Sequence, residues 1–251
     1  MLNIENLHKS FGGVNAMSGV SLDFEEGSLT AVIGPNGAGK TTFFNLITGA
    51  FRPDSGRVLL AGQDIAGLSA PEIVRKGIGR AFQIASIFPS FTVRDSILAA
   101  VNAHRGWHAK LRRRFPLKEA EAQAGEVMDL VGLGSRAHLL SGNLSHGDQK
   151  LLDIALALAL EPRVLLLDEP TAGMGPEERW QMIETVHQLW KRKQLTLIFI
   201  EHDMDIVFKY AQSIRVLSYG SVLAEGGPED VRRNPKVIEA YLGAHFEEGR
   251  S

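Results

Sequence analysis

The chain of 251 residues contains no cysteine, which excludes disulfides, thiolate catalysis and cysteine metal sites. It also lacks a large excess of either charge, since 27 Lys and Arg residues against 29 Asp and Glu residues give a net charge of -2. That balance argues against a nucleic-acid binder that relies on bulk positive charge. A hydrophobic content of 44% still allows a buried core, so the composition predicts a folded globular protein.

Long uninterrupted apolar runs are absent as well. The most apolar stretch, 151–167, contains Asp153, Glu161, Pro162 and Arg163, so it falls short of the ~18 consecutive apolar residues of a transmembrane helix. We interpret it as a buried helix, a turn at the proline and a buried strand. The first residues show no basic start followed by an apolar run, so a secretory signal is not expected.

Strands alternate with helices along most of the chain. Short apolar runs predict buried strands at 29–33, 164–167 and 195–200. Their alternation with helical patterns predicts an α/β fold with a mostly parallel sheet.

The middle of the chain is the exception, because residues 87–150 show only helical patterns. We expect a helical subdomain here, inserted into an α/β core that comprises about 1–86 and 151–225. Further helical pieces are expected in a tail at about 226–251.

The strongest motif lies between a predicted strand and a predicted helix. Residues 34–41 read GPNGAGKT, which fits G-x-x-x-x-G-K-[ST]. Glycines let the backbone N–H groups of such a loop face phosphates, and the helix N-terminus adds its positive end. Lys40 would reach the β- and γ-phosphates, and Thr41 would bind Mg²⁺. A glycine-rich turn without a ligand is the alternative, which the flanking strand and helix disfavour.

Two adjacent acids, Asp168 and Glu169, stand at the end of the predicted strand VLLLD. Ligands of open α/β sheets bind outside the carboxyl ends of the strands, so both acids are expected to face a nucleotide. Asp168 suits the binding of Mg²⁺, and Glu169 suits a general base that polarises the attacking water. Without the phosphate loop upstream, two solvated surface acids would be an equally good interpretation.

Three further segments complete a resemblance to ABC-type ATPases. Residues 144–150, LSHGDQK, resemble the LSGGQ signature of that family and precede the two acids, as they do there. Gln83 follows IGRAF at the Q-loop position, and His202 follows LTLIFIE at the position of the switch histidine. Phe11 lies upstream of the phosphate loop, where the family has an aromatic ring that stacks on adenine.

The resemblance implies one nucleotide-binding domain with a P-loop (RecA-like) core, an antiparallel β subdomain and the inserted helical subdomain, with ATP and Mg²⁺ as cofactors. The residues implied to bind ATP are Phe11, Gly34, Pro35, Asn36, Gly37, Ala38, Gly39, Lys40, Thr41, Thr42, Ser145 and Gly147. The residues implied in catalysis are Glu169, His202, Gln83 and Lys40, and those implied to bind the metal are Thr41, Gln83 and Asp168. Two such domains sandwich two ATP molecules in this family, so Ser145 and Gly147 would contact the γ-phosphate held by a second ATPase subunit.

The chain departs from the family pattern in two motifs. In the signature, His146 replaces Gly and Asp148 replaces Gln. An acid in a first helical turn suits the helix dipole, and we interpret His146 as a tolerated substitution rather than a phosphate ligand. After Thr171 the sequence AGMGP replaces the common SALD, so Gly175 stands where many relatives have an aspartate.

The remaining details resemble the LivG-type ATPase subunit of branched-chain (hydrophobic) amino acid importers. The segments that carry this likeness are FGGVNAMSGVSL (11–22), NLITGAFRPDSGRV (45–58), TAGMGPEE (171–178), EHDMDIVF (201–208) and NPKVIEAYLG (234–243). The likeness implies a homo- or heterodimer of ATPases that contacts integral membrane permeases at the cytoplasmic face of the inner membrane, and indirectly a periplasmic solute-binding protein, with no nucleic acid. The alternatives are a urea or amide importer, a lipopolysaccharide exporter, or a non-transport ABC ATPase of iron–sulfur assembly or DNA repair.

Two surface segments are candidates for contact with those partners. Residues 96–118 carry six basic residues and no acid, which leaves 21 basic and 29 acidic residues and a net charge of -8 on the rest. This segment is either a loop near the permease or acidic headgroups, or a solvated basic loop. Ile87, Phe88 and Phe91 lie where the family receives a permease helix, although the two Phe rings could equally pack inside the helical subdomain.

Overall fold

A computed structural model describes residues 1–82, 87–106 and 118–248. The strands in these ranges are β1 (Leu2–Phe11), β2 (Val14–Phe24), β3 (Leu29–Ile33), β4 (Ser55–Leu60), β5 (Gln63–Asp64), β6 (Ile78–Ala81), β7 (Val164–Asp168), β8 (Thr196–Ile200), β9 (Ser213–Ser218) and β10 (Ser221–Gly226). The helices are α1 (Lys40–Ile47), α2 (Ala70–Lys76), α3 (Val93–His104), α4 (Lys118–Leu130), α5 (His146–Leu158), α6 (Pro176–Lys193), α7 (Met204–Tyr210), α8 (Pro228–Arg232) and α9 (Pro235–Glu248).

The chain divides into two compact units. The first comprises Met1–Lys76 and Gln194–Ser251, and the second comprises Gly77–Lys193. The boundaries predicted above for the core, the helical insert and the tail stay predictions. None of the described helices combines the length and the apolarity that a membrane crossing requires.

The first unit contains an antiparallel sheet with the strand order β2-β1-β4-β5. It also contains β3 with parallel neighbours β8 and β9, and β10 pairs antiparallel with β9. All five residues of β3 and all five of β8 are buried, because a strand between parallel neighbours is covered on both faces. The predicted α/β fold, with a mainly parallel core and an antiparallel β subdomain, is confirmed.

The second unit contains the parallel pair β6–β7 and the helices α3 to α6. The start of α3 is fixed by Thr92, whose hydroxyl accepts a hydrogen bond from the Asp95 N–H at 3.0 Å. α6 begins at Pro176 with two Glu in its first turn and ends in Lys191, Arg192 and Lys193, so its charges complement the helix dipole. The described part of 87–150 is mainly helical, as predicted, with one isolated bridge between Thr92 and Leu140.

Candidate functional site

The glycine-rich loop connects the buried strand β3 to α1, as the motif predicts. Its glycines are required by close contacts as well as by backbone conformation. A Cβ atom on Gly34 would lie 2.1 Å from the carbonyl oxygen of Leu217, and one on Gly39 would lie 2.7 Å from that of Ala16. Gly39 has φ +99 and precedes α1 without a side-chain cap, and the positive end of the helix dipole lies at this terminus.

Lys40 lies at the start of α1, and its side chain is folded back onto the loop. Its ammonium group donates hydrogen bonds to the carbonyl oxygens of Gly34 at 2.7 Å and of Pro35 at 3.1 Å. The residue is buried, whereas Asn36, Gly37 and Thr41 are exposed. A buried cation therefore lies beneath a loop whose outer residues can reach a ligand.

Two distant segments of the first unit contact this loop. The turn between β9 and β10 donates a hydrogen bond from the Gly220 N–H to the Ala38 carbonyl at 3.1 Å. Tyr241 of α9 forms a hydrogen bond with the backbone of Gly34. Burial raises the pKa of the Tyr241 hydroxyl to about 12, an effect that this hydrogen bond partly offsets. Nothing in the motif predicts either contact, because both join segments that are far apart in sequence.

Phe11 ends β1, and its ring is 42% exposed. One edge packs against Phe51, with ring centroids 5.1 Å apart. The preceding residues are held by Asp54, whose carboxylate accepts hydrogen bonds from the Lys9 ammonium and the Ser10 N–H, both at 2.7 Å. These bonds, with that of the Lys9 side chain first, lower the pKa of Asp54 to about 2. The ring is therefore partly exposed at a strand end whose backbone is fixed, and the Lys9 ammonium lies 5.3 Å from its centroid.

His202 follows the buried strand β8 and is exposed. The main-chain N–H of His202 donates a hydrogen bond to the carboxylate of the buried Glu201 at 3.2 Å. The next residue, Asp203, caps α7 by accepting from the N–H groups of Asp205 and Ile206. The imidazole thus lies at the carboxyl end of a strand, where ligands of α/β proteins bind.

In the second unit, Asp168 is the last residue of β7 and is almost fully buried. Its Oδ2 accepts a hydrogen bond from Nη2 of Arg80 at 2.6 Å. Arg80 belongs to β6, where it is opposite Leu166 of β7. No sequence motif identifies Arg80, because its partner is 88 residues away.

Glu169 directly follows β7 and is half-buried. Its φ of +48 lies in the left-handed region, which costs a residue other than glycine about 1–3 kcal/mol. The Ala172 N–H and the ammonium of the buried Lys150 both donate to its main-chain carbonyl, at 3.1 and 3.3 Å. The main chain of Glu169 is therefore held in a strained conformation, and such strain is typical of functional sites. Lys150 is a second residue that sequence reasoning missed.

The signature segment forms the N-terminus of α5, as expected. Ser145 is exposed and caps the helix by accepting a hydrogen bond from the Asp148 N–H at 3.2 Å, and its own hydroxyl proton can still be donated. A Cβ on Gly147 would lie 3.1 Å from a carboxylate oxygen of Glu178. Nε2 of His146 lies 3.3 Å from the carbonyl oxygen of Ala172.

The oxygen donors expected to bind the metal suit Mg²⁺, which prefers carboxylates, hydroxyls and phosphates and keeps several waters. Asp168 offers a carboxylate oxygen and Thr41 an exposed hydroxyl. Within the described ranges there is no group of three or more His, Cys, Asp or Glu that could hold a metal by itself.

An open groove in the second unit has mainly apolar walls. Its lining residues include Phe82, Phe88, Ala99, Ala103 and Leu156. The ring of Phe88 is 53% exposed. It packs against the 44% exposed ring of Phe91 at a centroid distance of 5.4 Å, so the two rings are not buried inside the helical subdomain.

Some of the expected positions lie outside the described residues. They are Gln83 of the Q-loop position and, in the basic segment, Lys110, Arg112, Arg113 and Arg114. At the described ends of that segment, Arg105 forms an ion pair with Glu161 at 2.6 Å and Lys118 starts α4.

Comparisons with known proteins point to one family over nearly the whole chain. The family model described as ABC transporter matches residues 17–172, and the one described as branched-chain amino acid ATP-binding cassette transporter matches residues 221–247. The chain is 38% identical to the high-affinity branched-chain amino acid transport ATP-binding protein BraF of Pseudomonas aeruginosa, over 97% of this chain and 98% of that protein. It is 40% identical to the probable branched-chain amino acid transport ATP-binding protein LivG of Archaeoglobus fulgidus, over 99% of this chain and 97% of that protein.

The solved structures that the chain is similar to are ATP-binding cassettes of ABC transporters as well. The chain is similar to a nucleotide-free ATP-binding cassette from an ABC transporter, with a TM-score of 0.83 and 31% identity over 96% of this chain and 98% of that one. It is equally similar to the ADP conformation of MJ1267, an ATP-binding cassette of an ABC transporter, with a TM-score of 0.83 and 31% identity over 97% and 98% of the two chains.

Proposed function

This chain belongs to the ABC transporter family of ATP-binding proteins, and from that premise we propose that it powers the import of branched-chain amino acids or related small solutes through permease subunits. The observation that carries the choice of solute is the match of residues 221–247 to the branched-chain amino acid cassette model. That segment includes Tyr241, which contacts the phosphate loop. The part of the chain that distinguishes this group is therefore linked to the nucleotide site.

The residues described above divide the work of ATP hydrolysis. Residues 34–42 bind the phosphates through backbone N–H groups and Lys40, and Phe11 stacks on the adenine. Thr41, Gln83 and Asp168 are the residues that would hold Mg²⁺ beside the phosphates, and the ion would supply positive charge there when bound.

The remaining groups act on the water and on the γ-phosphate. Glu169 accepts the proton of the attacking water, and His202 donates a hydrogen bond toward the γ-phosphate. Ser145 and Gly147 contact the γ-phosphate bound by a second ATPase subunit, since Ser145 is exposed at the N-terminus of α5, where the helix dipole is positive.

Permease subunits provide the attachment to the cytoplasmic face of the inner membrane, and a periplasmic solute-binding protein delivers the solute to them. The apolar groove beside Phe88 supports this assignment, because its walls suit an apolar helical segment of a permease. The experiment is reconstitution of the chain in proteoliposomes with permease subunits, a second ATPase subunit and a solute-binding protein, followed by uptake of labelled leucine. ATP-dependent leucine uptake is expected; uptake of urea instead, or none with any small solute, would contradict the assigned solute.

Replacing Phe88 by Asp should separate transport from hydrolysis. An aromatic ring that becomes buried on docking contributes about 1.5–3 kcal/mol, and a carboxylate buried in its place costs more. We expect permease binding to weaken at least about tenfold, with leucine uptake lost and ATP hydrolysis by the isolated subunit unchanged. Leu139→Asp is the matched control, since Leu139 is 49% exposed but does not line the groove. Equal loss of binding in both variants would place the docking surface elsewhere.

Tyr241→Phe should weaken nucleotide binding by removing the hydroxyl that bonds to Gly34. One net hydrogen bond contributes about 0.5–1.5 kcal/mol, so the dissociation constant for ADP should rise about two- to tenfold. Because the pKa of this hydroxyl is raised to about 12, the group stays protonated and the difference should be constant from about pH 7 to about pH 10. Isothermal titration measures it, with Tyr219→Phe as control because that ring is 82% exposed. Equal affinities in all three proteins would show that the contact does not support the loop.

A further inference from the structure

Arg80 and Asp168 form an ion pair that is withdrawn from solvent. The Nη2–Oδ2 distance is 2.6 Å, and the two side chains are 7% and 3% exposed. The parallel pairing of β6 with β7 puts Arg80 opposite Leu166, two residues before the carboxylate. In such surroundings the field of the guanidinium is only weakly screened, so any other charge at this carboxylate interacts with it strongly.

The position of Arg80 is fixed by neighbours as well as by the carboxylate. Its Cζ lies 5.0 Å from the centroid of the Phe82 ring, which is a cation–π contact. The N–H of Phe82 donates to the carboxylate of Asp153 at 2.7 Å, and Asp153 is a buried residue of α5. The guanidinium is therefore held beside Asp168 by the fold, and it is not a surface side chain that happens to lie nearby.

We propose that Arg80 is a positioning residue for Asp168, and that its charge lowers the affinity of the site for a divalent metal. The inference rests on the proposed function, in which Asp168 helps to bind Mg²⁺. Arg80 orients the carboxylate by occupying Oδ2, which leaves Oδ1 for the hydration shell of the metal. At the same time its positive charge offsets the negative charge that attracts the metal.

Orienting the carboxylate should raise the affinity for the metal, whereas the positive charge of Arg80 should lower it. The effect of the charge should dominate. A hydrogen bond to one oxygen restricts only the rotation of the carboxylate. The repulsion between a guanidinium and a doubly charged ion acts over the whole distance between them and doubles with the charge of the ion. If the guanidinium is removed, the buried carboxylate also loses its counter-ion, and a bound metal then replaces it.

The test measures Mn²⁺ as a probe of the metal site, in the full chain with ADP, by the electron paramagnetic resonance signal of free Mn²⁺. Arg80→Gln keeps a hydrogen-bond donor but removes the charge, so Mn²⁺ should bind about tenfold more tightly. Arg80→Lys keeps the charge, so its affinity should stay within about twofold of the unaltered chain. Asp168→Asn should weaken binding at least about tenfold.

The outcomes separate the inference from the function on which it rests. If Asp168→Asn leaves Mn²⁺ affinity unchanged, the metal assignment of the proposed function fails, and the inference fails with it. If Asp168→Asn weakens binding but Arg80→Gln leaves it equal or weaker, only the role of Arg80 is overturned. If Arg80→Gln does not fold, as thermal unfolding would show, Arg80→Met takes its place as a second variant without the charge: tighter Mn²⁺ binding supports the role of Arg80, and equal or weaker binding overturns it.

Discussion

Replacing Glu169 by Gln should lower ATP turnover at least about a hundredfold while leaving ATP bound. A general base contributes about 10²–10⁴ to the rate, and a neutral amide cannot accept the proton of the attacking water. The substitution keeps the size of the side chain. It also keeps the bond from Lys150, which goes to the main-chain carbonyl of Glu169, so the strained backbone should not change.

Phosphate release gives the turnover of this variant, and a fluorescent ATP analogue gives its affinity. Because ATP persists in the site, size-exclusion chromatography with ATP should also show a stable dimer of the variant. Glu177→Gln is the matched control, since it removes the same charge from an exposed position in the first turn of α6. Turnover of the Glu169 variant at the unaltered rate would remove this residue from catalysis.

Local patterns in the sequence are enough to predict strands that are buried on both faces and helices that are capped by their own residues. The mainly apolar run 29–33 predicts β3 with the bounds that the structure shows, because burial between parallel neighbours favours apolar side chains on both faces, and Thr30 is the one polar residue of the strand. α6 is equally predictable, since Pro176 and the charges at both ends mark its limits. The pattern of β1 is less regular, because shifts in its register with β2 interrupt the alternation of buried and exposed residues.

The residues of the candidate site also fall into those that the sequence predicts and those that it does not. Lys40, Asp168 and Glu169 belong to short motifs whose spacing carries their chemistry, so the sequence predicts them. The residues that support these motifs are distant in the chain, so the motifs do not identify them. The partners revealed only by the fold are Arg80 for Asp168, Lys150 for Glu169 and Tyr241 for Gly34. Such contacts depend on strand register and helix packing, which a single sequence does not specify residue by residue.

Replacing Lys40 by Ala should weaken ATP binding at least about a hundredfold. Its ammonium lies against the loop, with Nζ 2.7 Å from the carbonyl oxygen of Gly34, and it is the charged side chain that the motif places on the β- and γ-phosphates. Charge-assisted hydrogen bonds contribute about 1.5–3 kcal/mol each, so the loss of two gives this factor.

The Lys40 variant also distinguishes binding from folding. Ala is a better helix former than Lys, so the start of α1 should survive the change, and the thermal unfolding midpoint should fall by only a few degrees. Lys76→Ala is the matched control, because Lys76 belongs to the same unit, is exposed and bonds only to the Gln63 side chain among the contacts described. Isothermal titration with ATP and Mg²⁺ compares the three proteins. Unaltered affinity in the Lys40 variant would mean that the backbone of the loop holds the phosphates without its lysine.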